Sequence, residues 1–205
     1  MSRPRAGTKD VSGFQVKKDR ILEFIAFTGP TTIYRAHVRT SMPLGTTQRV
    51  FKALVEGQEI IKYRVEKHVS GNTKKYYGLT ETGLLTLLAP KKSHVKDSFD
   101  KVARIWFKES KFSVMSKEIS TRLDDGETIE ALKHFYVISA DALHLPQYSD
   151  KLDYEVKLLL GLQLILAKQP EEISKWLGIL YHRLPSVKKA VDAYIEGVNR
   201  FQRSL

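Results

Sequence analysis

Along the first half of the chain the apolar positions follow two different rhythms. Over residues 17–27 they recur as Ile21, Leu22, Phe24, Ile25 and Phe27, the stripe of a first helix, which Thr28-Gly29-Pro30 ends. Thr31 or Thr32 can cap a second helix reaching about Thr40, because a threonine hydroxyl satisfies an orphan N–H of the first turn. Ser41-Met42-Pro43-Leu44-Gly45 reads as a turn. A third helix is predicted over 46–56, with Thr47, Phe51 (or Val50) and Leu54 facing inward. Over 60–69 the period shortens to two, as Ile61, Tyr63 and Val65, continued by Lys67, alternate with Lys62, Arg64, Glu66 and His68. That is a strand. Turn formers at 70–73 and a returning strand at 74–79 complete a hairpin, and Thr80 caps a fourth helix over 81–88.

Beyond Pro90 the alternating signal disappears. Residues 97–111, 116–123, 128–143, 153–168, 171–183 and 186–204 all carry helical spacing, separated in part by Asp124-Asp125-Gly126, Leu145-Pro146 and Leu184-Pro185. The pattern therefore predicts a mainly α chain with a small β-hairpin. Three parts are expected: a flexible basic arm over 1–13, a first domain over 14–90, and an all-α helical domain over 97–205.

Charge sharpens this division. Residues 1–96 hold 18 Lys and Arg against 7 Asp and Glu, whereas 97–205 hold 16 of each, so the whole net charge of +11 belongs to the first part. A basic module joined to a neutral one implies that one part meets a polyanion, and nucleic acid rewards Lys and Arg by releasing condensed counterions. The chain has no cysteine, which excludes disulfides and thiolate chemistry. Its N-terminus lacks the apolar run of a secretory signal, and its most apolar stretch, 156–167, is broken by Lys157 and Gln163. The expectation is a cytoplasmic, nucleoid-associated protein without a membrane partner.

The order helix, helix, turn, helix, hairpin, helix resembles the winged helix-turn-helix superfamily of DNA-binding proteins, including MarR-, ArsR- and PadR-like regulators. The residues that carry it are Thr31-Thr32-Ile33-Tyr34, the run Leu44-Gly45-Thr46-Thr47-Gln48-Arg49-Val50-Phe51-Lys52-Ala53-Leu54, and Glu56-Gly57-Gln58-Glu59-Ile60-Ile61. Tyr76-Tyr77-Gly78-Leu79-Thr80-Glu81-Thr82-Gly83 follows, similar to the Y-x-L-T-x-x-G ending of such regulators. The likeness covers about residues 15–90. An early Gly-Tyr pair usual in PadR-like proteins is missing, which leaves the superfamily and no subfamily.

The resemblance implies a third helix lying in the major groove, where each base pair shows its own donor and acceptor pattern. Thr46, Gln48 and Arg49 are then the base-contacting candidates. Gln48 suits adenine and Arg49 guanine. Thr32, Tyr34, Arg35 and Lys52 are candidates for phosphate. Lys67, His68, Asn72, Thr73, Lys74 and Lys75 form the wing, and Arg3 and Arg5 an arm for the minor groove. The partners expected are double-stranded DNA and a second copy, paired as a homodimer through the helical domain.

Other chemistries leave thinner traces. His134, Asp141 and His144 lie on one predicted helix but do not share one clean face, and Asp124, Asp125 and Glu127 sit where a turn or cap is expected. No phosphate-cradling Gly loop, nucleophile elbow or His-Glu-x-x-His pair is present. The expectation is a transcriptional regulator that is not an enzyme, with no metal and no cofactor. The alternative is a protein-interaction adaptor in a transcription, replication or partition complex, its winged helix docking on protein. A subunit of a nucleic-acid-processing complex is a third option.

Overall fold

Ile21, Leu22, Ile25 and Ala26 are all buried, and they give helix α1 (Val11–Thr28) the apolar side that holds it in place. The computed structural model describes residues 11–67, 73–89, 93–113, 115–143, 163–164 and 167–204. The chain is mostly helical with one two-stranded antiparallel hairpin, and it divides into two units, Met1–Gly83 and Leu84–Leu205. Because α1 begins at Val11, residues 11–13 belong to a helix and not to the expected arm. Gly29, at φ 77°, ends α1 by turning its N–H back to the Ile25 carbonyl at 3.0 Å.

The two threonines that follow divide their tasks. Thr32 caps α2 (Ile33–Thr40), its hydroxyl accepting from the Arg35 N–H at 3.1 Å. Thr31 instead exchanges both backbone hydrogen bonds with Tyr77, at 2.9 and 2.8 Å, and forms an isolated bridge. A short turn leads to α3 (Leu44–Glu56), two residues earlier than the expected start, since the Thr47 N–H already reaches the Pro43 carbonyl at 2.9 Å. Ser41 takes a left-handed φ of 53° to make that turn. The Met42 carbonyl fastens it, receiving the His37 Nδ1 hydrogen bond at 2.6 Å, with the Thr47 hydroxyl at 3.3 Å. On α3 both Val50 and Phe51 are buried beside Thr47 and Leu54.

Strands β1 (Ile60–Lys67) and β2 (Thr73–Leu79) pair from Ile60 opposite Leu79 to Lys67 opposite Thr73, with a bulge between Lys62 and Arg64. Burial fades outward along the hairpin: Ile60 and Leu79 are fully covered, while Val65 is exposed. The predicted alternation of faces therefore holds only to Tyr63, because among the described residues nothing buries either face of the outer hairpin. At its base the Thr80 hydroxyl points at the carbonyls of Gln58 and Glu59, at 2.6 and 3.0 Å, and accepts from the Gly83 N–H at 3.0 Å. A Cβ on Gly83 would stand 2.1 Å from the Glu59 carbonyl oxygen, so α4 (Glu81–Leu87) approaches the strand closely only through glycine.

The second unit continues with α5 (Ser93–Asp97), α6 (Phe99–Trp106), α7 (Ser116–Ser120), α8 (Gly126–Leu143), α9 (Pro170–Arg183) and α10 (Pro185–Ser204). Helix α6 packs on α8, α8 on α9, and α9 on α10. The single helix expected over 97–111 is broken, and α6 stops at Trp106. Phe107 turns inward there, its ring 5.1 Å from Phe112 and 5.7 Å from Tyr136, and that aromatic burial outweighs another helical turn. The helix expected over 153–168 lies outside the described residues except for 163–164 and 167–168. Among the described residues no helix is long and apolar enough to cross a membrane.

Candidate nucleic-acid interface

Burial of Thr47, Val50, Phe51 and Leu54 fixes which side of α3 faces outward. Gln48, Arg49 and Lys52 are exposed on that side, together with Gly45, whose added Cβ would meet only open space. Thr46 departs from expectation: it is half-buried, one helical position round from the exposed face. Arg49 Nε donates to the Gly45 carbonyl at 3.3 Å, which lays the side chain back along its own helix. Lys52 Nζ lies 3.7 Å from Glu56 Oε1, with both groups largely in solvent. Such a pair holds little energy and gives way easily to a phosphate.

Of the remaining candidates, Thr32, Tyr34, Arg35, Thr73, Lys74 and Lys75 converge at a groove between the start of α2 and the outer part of β2. It has a volume of about 660 Å³ and is lined by Thr32, Ile33, Tyr34 and Arg35 from one element and Thr73, Lys74, Lys75, Tyr76 and Tyr77 from the other. The Thr31–Tyr77 bridge holds the two elements together. Tyr77 in turn is seated edge-on against Phe51 of α3, ring centres 5.1 Å apart. Tyr34 stands 69% exposed, its ring tilted against His37 at 5.9 Å. The Thr32 hydroxyl accepts the α2 cap hydrogen bond, which leaves its own O–H proton for a further partner.

Charge at the groove is unbalanced. Two acids of the first unit hold other cations: Glu59 meets Lys18 at 2.9 Å, in contact but not aligned as a hydrogen bond, and Glu66 meets Arg64 at 3.2 Å. Arg35, Lys74 and Lys75 are exposed and have no ion-pair partner among the described residues. Sequence reasoning missed Tyr76, which lines the groove with the Arg64 guanidinium 4.4 Å from its ring centre. The sequence held no direct signal for it, since Arg64 comes opposite Tyr76 only through the bulge between Lys62 and Arg64. Lys67 is exposed at the outer end of β1, and His68, Asn72, Arg3 and Arg5 lie outside the described residues. No protein-family model and no curated protein matches the chain.

The second unit offers different chemistry. His134 stacks on Trp176 at 4.1 Å and 9°, with Nε2 3.1 Å from Glu130, while Asp141 lies 3.6 Å from Lys96. His144 is outside the described residues. Asp125 caps α8, its Oδ1 accepting from the N–H groups of Glu127 and Thr128 at 3.2 and 3.3 Å. The Thr128 hydroxyl, donating at 2.8 Å, is the main reason that the Asp125 carboxyl is held below its ordinary value of 3.8; burial opposes it, and Arg183 adds to it. An apolar cavity of about 350 Å³ lies among Leu132, Phe135, Leu177, Leu180, Val187 and Val191.

Proposed function

We propose that the chain is a sequence-specific double-stranded DNA-binding protein that regulates transcription and is not an enzyme. In this reading residues 14–90 form a winged helix-turn-helix. Helix α3 enters the major groove through Gln48 and Arg49, with Thr46 at the margin, and Lys52 meets phosphate. The hairpin is the wing, and the helical part pairs two copies as a homodimer so that two heads read adjacent half-sites. The observation that carries the reading is the groove. Arg35 from α2 and Lys74 and Lys75 from β2 gather there without acidic partners among the described residues, on elements locked to α3 through Tyr77 and Phe51. Cations clustered beside an exposed polar helix face suit a phosphate backbone flanking a base-reading helix.

The test is selection of bound duplexes from a random pool, followed by titration against salt and measurement of the mass of the complex. Affinity is expected to fall steeply with salt, by a logarithmic slope of about 0.9 per phosphate neutralised. Two chains on a palindromic site are expected. Gln48→Ala and Arg49→Ala should relax base preference at one position each, by about 1–3 kcal/mol. Absence of salt-dependent duplex binding overturns the reading, and a stoichiometric protein partner without duplex affinity replaces it with the adaptor.

A further inference from the structure

The groove is better furnished than the flank of a continuous duplex requires. Tyr77 turns its N–H and C=O toward Thr31, away from β1. Alternate residues of a strand direct these groups to the same side, so Lys75 and Thr73 turn theirs that way too. The strand opposite is one residue long, because the chain passes at once from Thr31 through the Thr32 cap into α2. Among the described residues no backbone pairs with Lys75 or Thr73 on that side. Among the described residues, one boundary of the groove is therefore an open sheet edge whose donors and acceptors have no backbone partner. Another is the Tyr34 ring, 69% exposed, and around both stand the partnerless cations Arg35, Lys74 and Lys75.

Resting on the duplex-binding reading above, we propose that this groove takes an unpaired nucleotide, so that the protein prefers a duplex with a single-stranded extension to a blunt one. A duplex is too thick to enter a cleft between two adjacent elements. It offers the cleft its phosphates alone, its bases being stacked inside, and would leave the Tyr34 ring and the sheet edge uncovered. An unstacked nucleotide matches all three features: a π-face for Tyr34, a polar base edge for the backbone of Lys75 and Thr73, and phosphates for the cations. The groove volume of about 660 Å³ is that of a small-molecule site, which runs to about 300–1,000 Å³. An extended peptide can also add to a sheet edge. Here the free edge spans only two residues, while three partnerless cations suit a phosphate chain.

Fluorescence anisotropy on one duplex, blunt or extended by six thymines, tests this directly. The extended duplex is expected to bind at least about fivefold tighter, the lower end of what one base–aromatic stack gives. A 2-aminopurine at the first unpaired position should lose fluorescence on binding. Tyr34→Ala should bring the ratio of affinities close to one and abolish the quenching, and Tyr34→Phe should keep both. Arg49→Ala should weaken both duplexes and leave their ratio. Equal binding of blunt and extended duplexes, or a preference that survives Tyr34→Ala, overturns the proposal while duplex binding stands. Loss of salt-dependent binding to the blunt duplex instead overturns the reading beneath it. A hexaglutamate peptide that displaces the extension at lower concentration than a thymine hexamer assigns the groove to a protein partner and also overturns the proposal.

Discussion

The two units differ in where their basic residues are paired with acids and where they gather unpaired. In the second, Arg183 reaches Asp125 and Glu127 at 3.0 Å each, Arg104 reaches Asp124 at 2.7 Å, and Lys188 reaches Asp192 at 2.7 Å. Arg200 pairs with Glu196 one turn away. These cations tie helix ends and neighbouring turns of the fold to one another. In the first unit Lys18, Lys52 and Arg64 have acidic partners, while Arg35, Lys74 and Lys75 line a groove without any among the described residues. A net charge alone does not separate these uses. What sets Arg35, Lys74 and Lys75 apart is that three unpaired cations share one groove.

The sharpest way to break the contrast is to damage the scaffold that presents the cations. Gly83→Ala forces a Cβ into the Glu59 carbonyl, and should destabilise the first unit by about 1–3 kcal/mol or more, as an overpacked contact with backbone that cannot yield. Thermal unfolding followed by hydrogen exchange should show the loss in residues 60–79 and spare α8–α10. Replacing Arg35, Lys74 and Lys75 together by alanine should leave unfolding nearly unchanged, yet lower duplex affinity by about tenfold or more at low salt. The salt slope should shrink by about three. An unchanged slope would place the phosphate surface elsewhere.

In the second unit the effects should appear in stability alone. Asp125→Ala removes the α8 cap and the partner of Arg183, at a cost of about 1–2 kcal/mol, with per-protomer duplex affinity unaltered. The carboxyl is held low in the folded chain, so its contribution is complete above pH 3.8 and is lost as pH falls through the depressed native value. Asp125→Asn should therefore flatten that part of the acid-unfolding profile. The smallest effect belongs to Asp192→Asn. Lys188 donates to both Asp192 and Tyr181, which raises the lysine and lowers the aspartate, but the cluster is open to water, and melting should not change measurably.

Local rules made much of the first unit legible. The stripe on α1, the inward set of α3 and the hairpin all follow from apolar spacing that one short segment contains. What spacing could not settle was the choice between Thr31 and Thr32, because the bridge to Tyr77 depends on a strand more than forty residues away. The same holds for Gly83, whose need for glycine comes from the Glu59 carbonyl, and for the end of α6, fixed by where Phe107 finds Phe112 and Tyr136. Of the candidate site, the cations and Tyr34 were legible as residue types. Their meeting in one groove was not, since it requires the α2 start and β2 to be brought side by side.

The turn between α2 and α3 carries a consequence for how firmly the exposed face of α3 is aimed. A carbonyl oxygen can only accept, so the 2.6 Å contact with Met42 requires a proton of His37 on Nδ1. The Thr47 hydroxyl meets the same oxygen at 3.3 Å, so a single acceptor joins a side chain of α2 to one of α3. The angle at which α3 leaves the turn is thus held by a clasp of two donors on one atom.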